Sequence, residues 1–367
     1  SNVDLKNNIQ RAISFFNSES KRLESYFQAI PYATANDVVT YDSTQFSWDR
    51  QQRYDVEKGK RYELAPDGFR ESLYRPFFKQ YIYMDRSLNN CVYQIPKLFP
   101  LTTSKNLLIC TSGTSGSKLH TVIMTRYIPD LHLNGDSQCF PLYWYEEVSL
   151  NQLDLFSGEK SEYIKHDGVT DFILNQAQQK YGPRVTKEDI FYYVYGILHS
   201  KSYVDKFADD LKMQLPRLPL ITEPQKFWDF CKAGRELAEL HLNYEKVPAY
   251  PDVVVDGDRG DYTVTKMLYP KKDQTDTIIY NDDITIRSIP AKAYEYVING
   301  KSAIAWIMER YQDKTDKDSQ IRNNPNDWGI EHGNPRYILD LLLSIINMSC
   351  QTVDIVNNLP EVDWDKE

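Results

Sequence analysis

Short β-rich runs, then a long helical stretch, then a second set of short β-rich runs predict an α+β chain. The expected architecture is a mixed domain with sheet-rich N- and C-terminal parts around a helical middle. Three observations carry this. Runs rich in β-branched and aromatic residues at 81–84, 106–111, 120–127 and 140–145 are bounded by turn formers. From about 171 to 246 apolar residues recur at helical spacing. After 262 short β-runs return between Pro, Asn and Asp turns, and an apolar helix follows.

In chain order, Asp4 is a candidate N-cap for a helix through about Tyr26, with Ile9, Ile13, Phe16 and Leu23 on one stripe. A polar segment, 31–55, follows and holds Phe46-Ser47-Trp48 as a short tethered element. Residues 61–69 suggest a brief helix or turn, and 81–84 a strand. Residues 106–111 and 120–127 predict a hairpin whose tip, Ser112-Gly113-Thr114-Ser115-Gly116-Ser117-Lys118, is polar and basic. Helices are expected at 171–180, 190–200, 203–214 and 225–244. Thr186 and Asp189 approximate a capping box, and Pro216 and Pro219 stop the third helix. Late strands are expected at 262–265, 277–280 and 284–287, with Asn281-Asp282-Asp283 as a hairpin turn. Helices at 291–298, 302–311 and 337–357 complete the chain. The division that follows is a helical lead and linker over 1–60 and a main domain over 61–367, with its helical middle at about 171–246.

Composition narrows the function classes. The 367 residues carry a net charge of −9, and 27 of them are Tyr, a residue suited to half-apolar, half-wet surfaces. Cys91, Cys110, Cys139, Cys231 and Cys350 stand far apart, which excludes C-x-x-C zinc spacing and a disulfide framework and suits a reducing cytoplasm. No apolar run reaches about 18 residues, and the six histidines show no metal-ligand spacing. The chain opens on Ser1-Asn2, which suggests a piece of a longer polypeptide. From Arg86 to Pro129 there is no Asp or Glu, while Arg86, Lys97, Lys105, Lys118 and Arg126 are present. A phosphate-facing surface and a buried sheet both explain such a stretch.

Several segments then carry a family resemblance. They are Ser72-Leu73-Tyr74-Arg75-Pro76-Phe77-Phe78-Lys79, Ile128-Pro129-Asp130-Leu131-His132 and Ser137-Gln138-Cys139-Phe140-Pro141-Leu142-Tyr143. Further along come 189–200 with Phe191-Tyr192-Tyr193-Val194-Tyr195, then 234–244, 311–319, Asn324-Pro325-Asn326-Asp327-Trp328 and 335–342. In this order they resemble the C-terminal specificity region of type ISP restriction–modification enzymes, over about residues 10–358. Those enzymes join nuclease, helicase-like ATPase, adenine methyltransferase and target recognition domain in one chain. The resemblance implies duplex DNA as partner, together with the methyltransferase and ATPase domains of the same parent. It also implies S-adenosylmethionine, ATP and Mg as cofactors of that parent. This chain is expected to hold none of them. Asn334-Pro335-Arg336-Tyr337 lacks the second Pro of a methyltransferase motif and suggests a helix start. Residues 113–118 lack P-loop spacing, and Pro251, Asp252, Asp256 and Lys266 are poorly spaced for a nuclease. No catalysis is expected from this piece.

Three stretches suit DNA, since Arg, Lys, Asn and Gln bind base edges and phosphates. The first is the hairpin tip with Lys118 and Arg126, expected as phosphate-positioning residues; the competing reading is a solvent loop. The second is Lys266, Lys271, Lys272 and Arg287 on or beside the late strands, with Lys292, expected to form a two-stranded ribbon on which Arg287 reads a base. The bland alternative is a charged hairpin. The third is Lys314, Lys317 and Arg322, expected as a phosphate clamp or docking element; the competing reading is simply a good turn at Asn323-Asn324-Pro325-Asn326-Asp327. His132 is a further candidate for base or phosphate contact, set against a histidine satisfied within its turn. Arg75 is expected to pair with a carboxylate. The alternatives to DNA recognition are a tyrosine-rich protein-docking scaffold and a methyltransferase fragment; steep salt dependence separates DNA binding from apolar docking.

Overall fold

The computed structural model describes residues 1–114, 120–148 and 162–367. Its apolar residues gather in three clusters: one within the lead, one around the helical middle that also takes Ile109, Val122 and Trp364, and one that joins residues from Leu73 to Leu133 with those from Tyr244 to Val353.

The lead forms a core of its own. Its helix spans Asn2–Ala29 and is capped by Ser1, whose hydroxyl accepts from the Asp4 amide, so the cap lies three residues before the expected one. Ile13, Phe16, Leu23 and Phe27 are buried, and Phe16 stacks on Tyr62 at 3.8 Å. The polar segment 31–55 wraps this stripe. Phe46 and Trp48 are both buried, and the Trp48 indole donates to the Thr40 carbonyl (3.0 Å). An Asp49–Gln52 capping box opens a helix at Arg50–Glu57.

Residues 66–68 make one 3-10 turn, and Phe69–Arg75 then pairs antiparallel with Phe78–Tyr83. The connecting Pro76-Phe77 follows type II logic, with Pro fixing the first φ and Phe77 at φ 59°. A bulky residue in that region is strained. Full burial of the Phe77 ring and a hydrogen bond from the Tyr311 hydroxyl to its carbonyl (3.3 Å) hold it there. Arg75 pairs with Asp130 at 2.6 Å, as expected.

In the middle, Leu108–Thr111 and Val122–Thr125 form the expected hairpin, with Gln138–Pro141 on the free edge of the first strand. All eight residues of the two hairpin strands are buried. There the absence of carboxylates reflects burial, and the phosphate-facing reading fails for these residues. The expected strand 140–145 is two strands broken at buried Leu142; the second, Tyr143–Glu147, pairs with Tyr163–Asp167. Helices Lys187–Leu198 and Pro224–Leu242 cross in backbone contact. A Cβ at Gly234 would lie 1.9 Å from the Tyr192 carbonyl oxygen, and one at Gly196 2.4 Å from that of Phe230. The expected helix 203–214 is split into Lys201–Lys206 and Asp210–Met213.

The C-terminal core is built on Tyr337–Asn357. By length and composition this helix is apolar enough to cross a membrane (mean hydropathy 1.4), but 72% of that window is buried inside the protein, as befits a core helix. The late sheet has three strands, with Thr285–Arg287 between Ile278–Ile279 and Val254–Asp256. The run 262–265 forms no strand, because the Asn326 side chain takes both backbone groups of Val264 (2.9 Å each). Residues 291–298 are not one helix. A 3-10 turn at Ala291–Tyr294 leads into a hairpin of Val297–Ile298 and Lys301–Ser302. Its turn is Asn299-Gly300 with both φ positive, a strong hairpin signal that the helix expectation overrode.

Candidate nucleic-acid interface

Lys118 lies outside the described residues. Arg126 does not share a surface with the residues flanking the hairpin tip. It sits beyond the far end of Val122–Thr125 and donates to Asn243 (3.1 Å), the cap of Pro224–Leu242. His132 is satisfied within its turn by Asp136 (2.8 Å). Lys271 and Lys272 are exposed on a loop and make no ion pair among the described residues. Arg287 is paired through Nε to Asp256 (2.5 Å) on the adjacent strand, and Lys292 to Asp354 (2.7 Å). Arg287 is therefore not on a free two-stranded ribbon. Its strand is the centre of a sheet whose Ile278 and Ile286 are fully buried, because the inward face covers the C-terminal core.

The tertiary structure instead joins the second and third stretches. The Asp313 amide donates to the Thr265 carbonyl (3.0 Å), which brings Lys266 beside Lys314. Arg322 grips Asp313 side-on: Nε donates to Oδ1 (2.9 Å) and Nη2 to Oδ2. That hydrogen bond holds the Asp313 carboxyl below its ordinary value. Glu309 lies in the same field. Burial pushes its carboxyl up, but the Lys301 hydrogen bond and the charges of Lys301, Arg310 and Lys314 outweigh this and lower it. Lys266, Lys301, Arg310, Lys314 and Arg322 thus gather around Glu309 and Asp313, with Asp327 also in the field of Arg322, a local cluster of cations on an acidic chain.

At its edge stands a hairpin of Lys314–Thr315 and Arg322–Asn323, all four residues exposed. Its tip is held from within. The Asp316 carboxylate accepts from the Ser319 amide and hydroxyl (2.8 Å each), and Gln320 at φ 57° donates to the Lys317 carbonyl (2.6 Å). The lead steadies it through Ser43, whose hydroxyl donates to the Asp318 carbonyl (3.1 Å). Between hairpin and lead runs a groove of about 1100 Å³, lined by the amides of Asn8, Gln45, Gln320 and Asn323, by Lys79 and Trp328, and by the carboxylates of Asp4, Asp49, Asp327 and Glu331. Gln80 donates to Asn323 across it (3.2 Å). Cations suit phosphate oxygens, and amides suit groups that both donate and accept. Among the described residues no group of three His, Cys, Asp or Glu side chains is placed to hold a metal ion. Two-residue strands show no alternation, so sequence periodicity missed this ribbon; the turn expected from Asn323-Asn324-Pro325-Asn326-Asp327 begins at its last residue.

Among curated proteins nothing matches. The sequence model of the Type ISP C-terminal specificity domain matches residues 1–341. Among solved structures, a nuclease-deletion mutant of the Type ISP restriction–modification enzyme LlaGI, in complex with a DNA substrate mimic, is similar at 36% identity and TM-score 0.84 over 98% of this chain and 31% of that one. The ATP-dependent Type ISP enzyme LlaBIII bound to DNA is similar at 34% identity and TM-score 0.83, over 98% of this chain and 22% of that one. A DrdV–DNA complex is similar at 29% identity and TM-score 0.79, over 98% and 34%. The chain spans between a fifth and a third of those chains. By its sequence match over residues 1–341, the chain belongs to the Type ISP C-terminal specificity domain family.

Proposed function

We propose that this chain recognises duplex DNA as the specificity module of a Type ISP restriction–modification enzyme. The observation that carries the reading is the likeness over 98% of the chain to enzymes solved with DNA. The patch of Lys266, Lys301, Arg310, Lys314 and Arg322 supports it from the chain itself, because phosphate neutralisation supplies most sequence-independent affinity. In the parent polypeptide the module positions its target for methylation and cleavage by methyltransferase, ATPase and nuclease parts outside this chain. S-adenosylmethionine, ATP and Mg belong to those parts. Asn334 accepts from the Arg336 amide (3.1 Å) at a helix start, which supports reading Asn334-Pro335-Arg336-Tyr337 as a helix start rather than a methyltransferase motif. A reducing cytoplasm suits the five cysteines, all of them free thiols.

The test is fluorescence anisotropy of this chain with a labelled duplex across a salt series. A fall of log affinity with log salt at a slope of several units supports the reading. Binding that ignores salt, or absence of binding at the lowest salt, overturns it. Salt-independent capture of another protein would favour the docking alternative.

A further inference from the structure

The guanidinium of Arg322 is held differently from the other arginines. Asp313 occupies its Nε and one Nη2 hydrogen, fixing its plane and leaving the Nη1/Nη2 edge without a hydrogen-bond partner among the described residues, on a side chain 62% exposed with Asp327 in its field. Arg22 makes the same side-on grip on Glu19, but its Nη2 also donates to the Val38 carbonyl (2.9 Å). Arg336 is spread over Asp258, Asp340 and Tyr262, and Arg75 over Asp130 and its own turn. Arg287 has a single contact through Nε and sits on a sheet with a buried inward face.

The platform beneath Arg322 is also distinct. It is a two-stranded ribbon with exposed strands, pinned at its base by Asp313 to Thr265, at its tip by Asp316 and Ser319, and sideways by Ser43. A two-stranded ribbon fits the major groove, and an arginine presenting two parallel N–H groups matches the O6 and N7 acceptors of guanine. Ordering a long side chain before contact removes part of the entropy lost on binding. Lys314 and Lys317 flank the fork as point charges suited to phosphate.

We propose that Arg322, oriented by Asp313, is a specificity-determining residue that reads a guanine edge in the major groove, with Lys314 and Lys317 setting register on the phosphates. The inference rests on the duplex-recognition reading and narrows it to one residue and one base type. Asp313 is a positioning residue. Its carboxylate also repels phosphate, so its role is orientation rather than affinity.

The experiment selects bound duplexes from a randomised pool with the unaltered 367-residue chain, then measures affinities for the selected site and its single-base variants. The chains compared are unaltered, Arg322→Ala, Arg322→Lys, Asp313→Asn and Lys314→Ala. Arg322→Ala should relax one G·C position, losing roughly 5- to 150-fold of discrimination there, with the other positions unchanged. Arg322→Lys keeps the charge but not the fork and should relax the same position. Asp313→Asn should weaken discrimination at that position while leaving affinity for mismatched duplexes equal or higher. Lys314→Ala should lower all affinities alike. A uniform loss with Arg322→Ala makes Arg322 a phosphate contact and overturns the proposal, as does an unchanged site preference. If the unaltered chain selects no duplex, the recognition reading itself falls first, and the two failures are told apart by that control.

Discussion

Two regions near the C-terminus carry the same local ingredients, short β-runs with Lys and Arg at their ends. They take opposite places in the molecule. In the sheet of Val254–Asp256, Ile278–Ile279 and Thr285–Arg287, Ile278 and Ile286 are fully buried, whereas Ile321 of the hairpin at 314–323 is 52% exposed. The sheet spends one face on the core, and its one arginine lies on the other, tied to the next strand. The hairpin hides neither face, so its cations combine with Lys266, Lys301 and Arg310 into a patch. What lies beneath a ribbon decides its role, and counting cations along it does not.

The comparison is most easily broken by truncation. Ile286→Ala should cost about 2–5 kcal/mol through the cavity it leaves, while Ile321→Ala should change stability by less than about 0.5 kcal/mol. Urea unfolding of both variants measures this, and equal losses would mean that the hairpin, too, is core.

Acid should separate the buried and exposed sides in the same way. Burial lowers His120 to about 4 and His199 to about 4, the latter partly offset by the Tyr195 carbonyl and helped by His120. The unfolded chain binds protons near pH 6.5 that the native state refuses down to about pH 4, so stability falls as pH drops through that window. From pH 7 to 5 the loss should be roughly 2 kcal/mol per histidine. It is read as a lowered Tm, with the salt slope of duplex binding unchanged because Lys and Arg stay charged. A Tm that is flat from pH 7 to 5 would place these histidines in water.

Charge removal sharpens the contrast further. Lys266→Ala with Lys314→Ala should flatten the salt slope by up to about 2 units for every duplex. The paired change Lys271→Ala with Lys272→Ala, equal in charge, should leave it unaltered. Equal flattening by both would extend the DNA face onto the late sheet. Arg287→Ala should have the smallest effect, under about 1 kcal/mol in stability with site preference intact, because its pair with Asp256 is exposed. Relaxed preference at one position would return base reading to the sheet.

Much of the candidate site was visible piecemeal. Lys266 stood out as a cation beside the late β-runs, Lys314 and Arg322 as cations in a turn-rich segment shared with the family, and the ordered segments pointed to that family. Their convergence was not visible, because a single backbone hydrogen bond between Thr265 and Asp313 makes it across 48 residues. The misjudged ribbon has the same origin. Residues 262–265 have the residue types of a strand, but Asn326, far along the chain, satisfies the backbone where a neighbouring strand would.

The sequence by itself determined the class of the fold, the long helices at 187–198, 224–242 and 337–357, and the hairpin over 108–125. There the apolar spacing, caps and turn residues are local and agree with one another. Only the tertiary structure decided which β-runs face water, which carboxylate claims which arginine, and which cations meet. Burial and ion pairing depend on residues distant in sequence, and no local pattern encodes a partner brought in by packing.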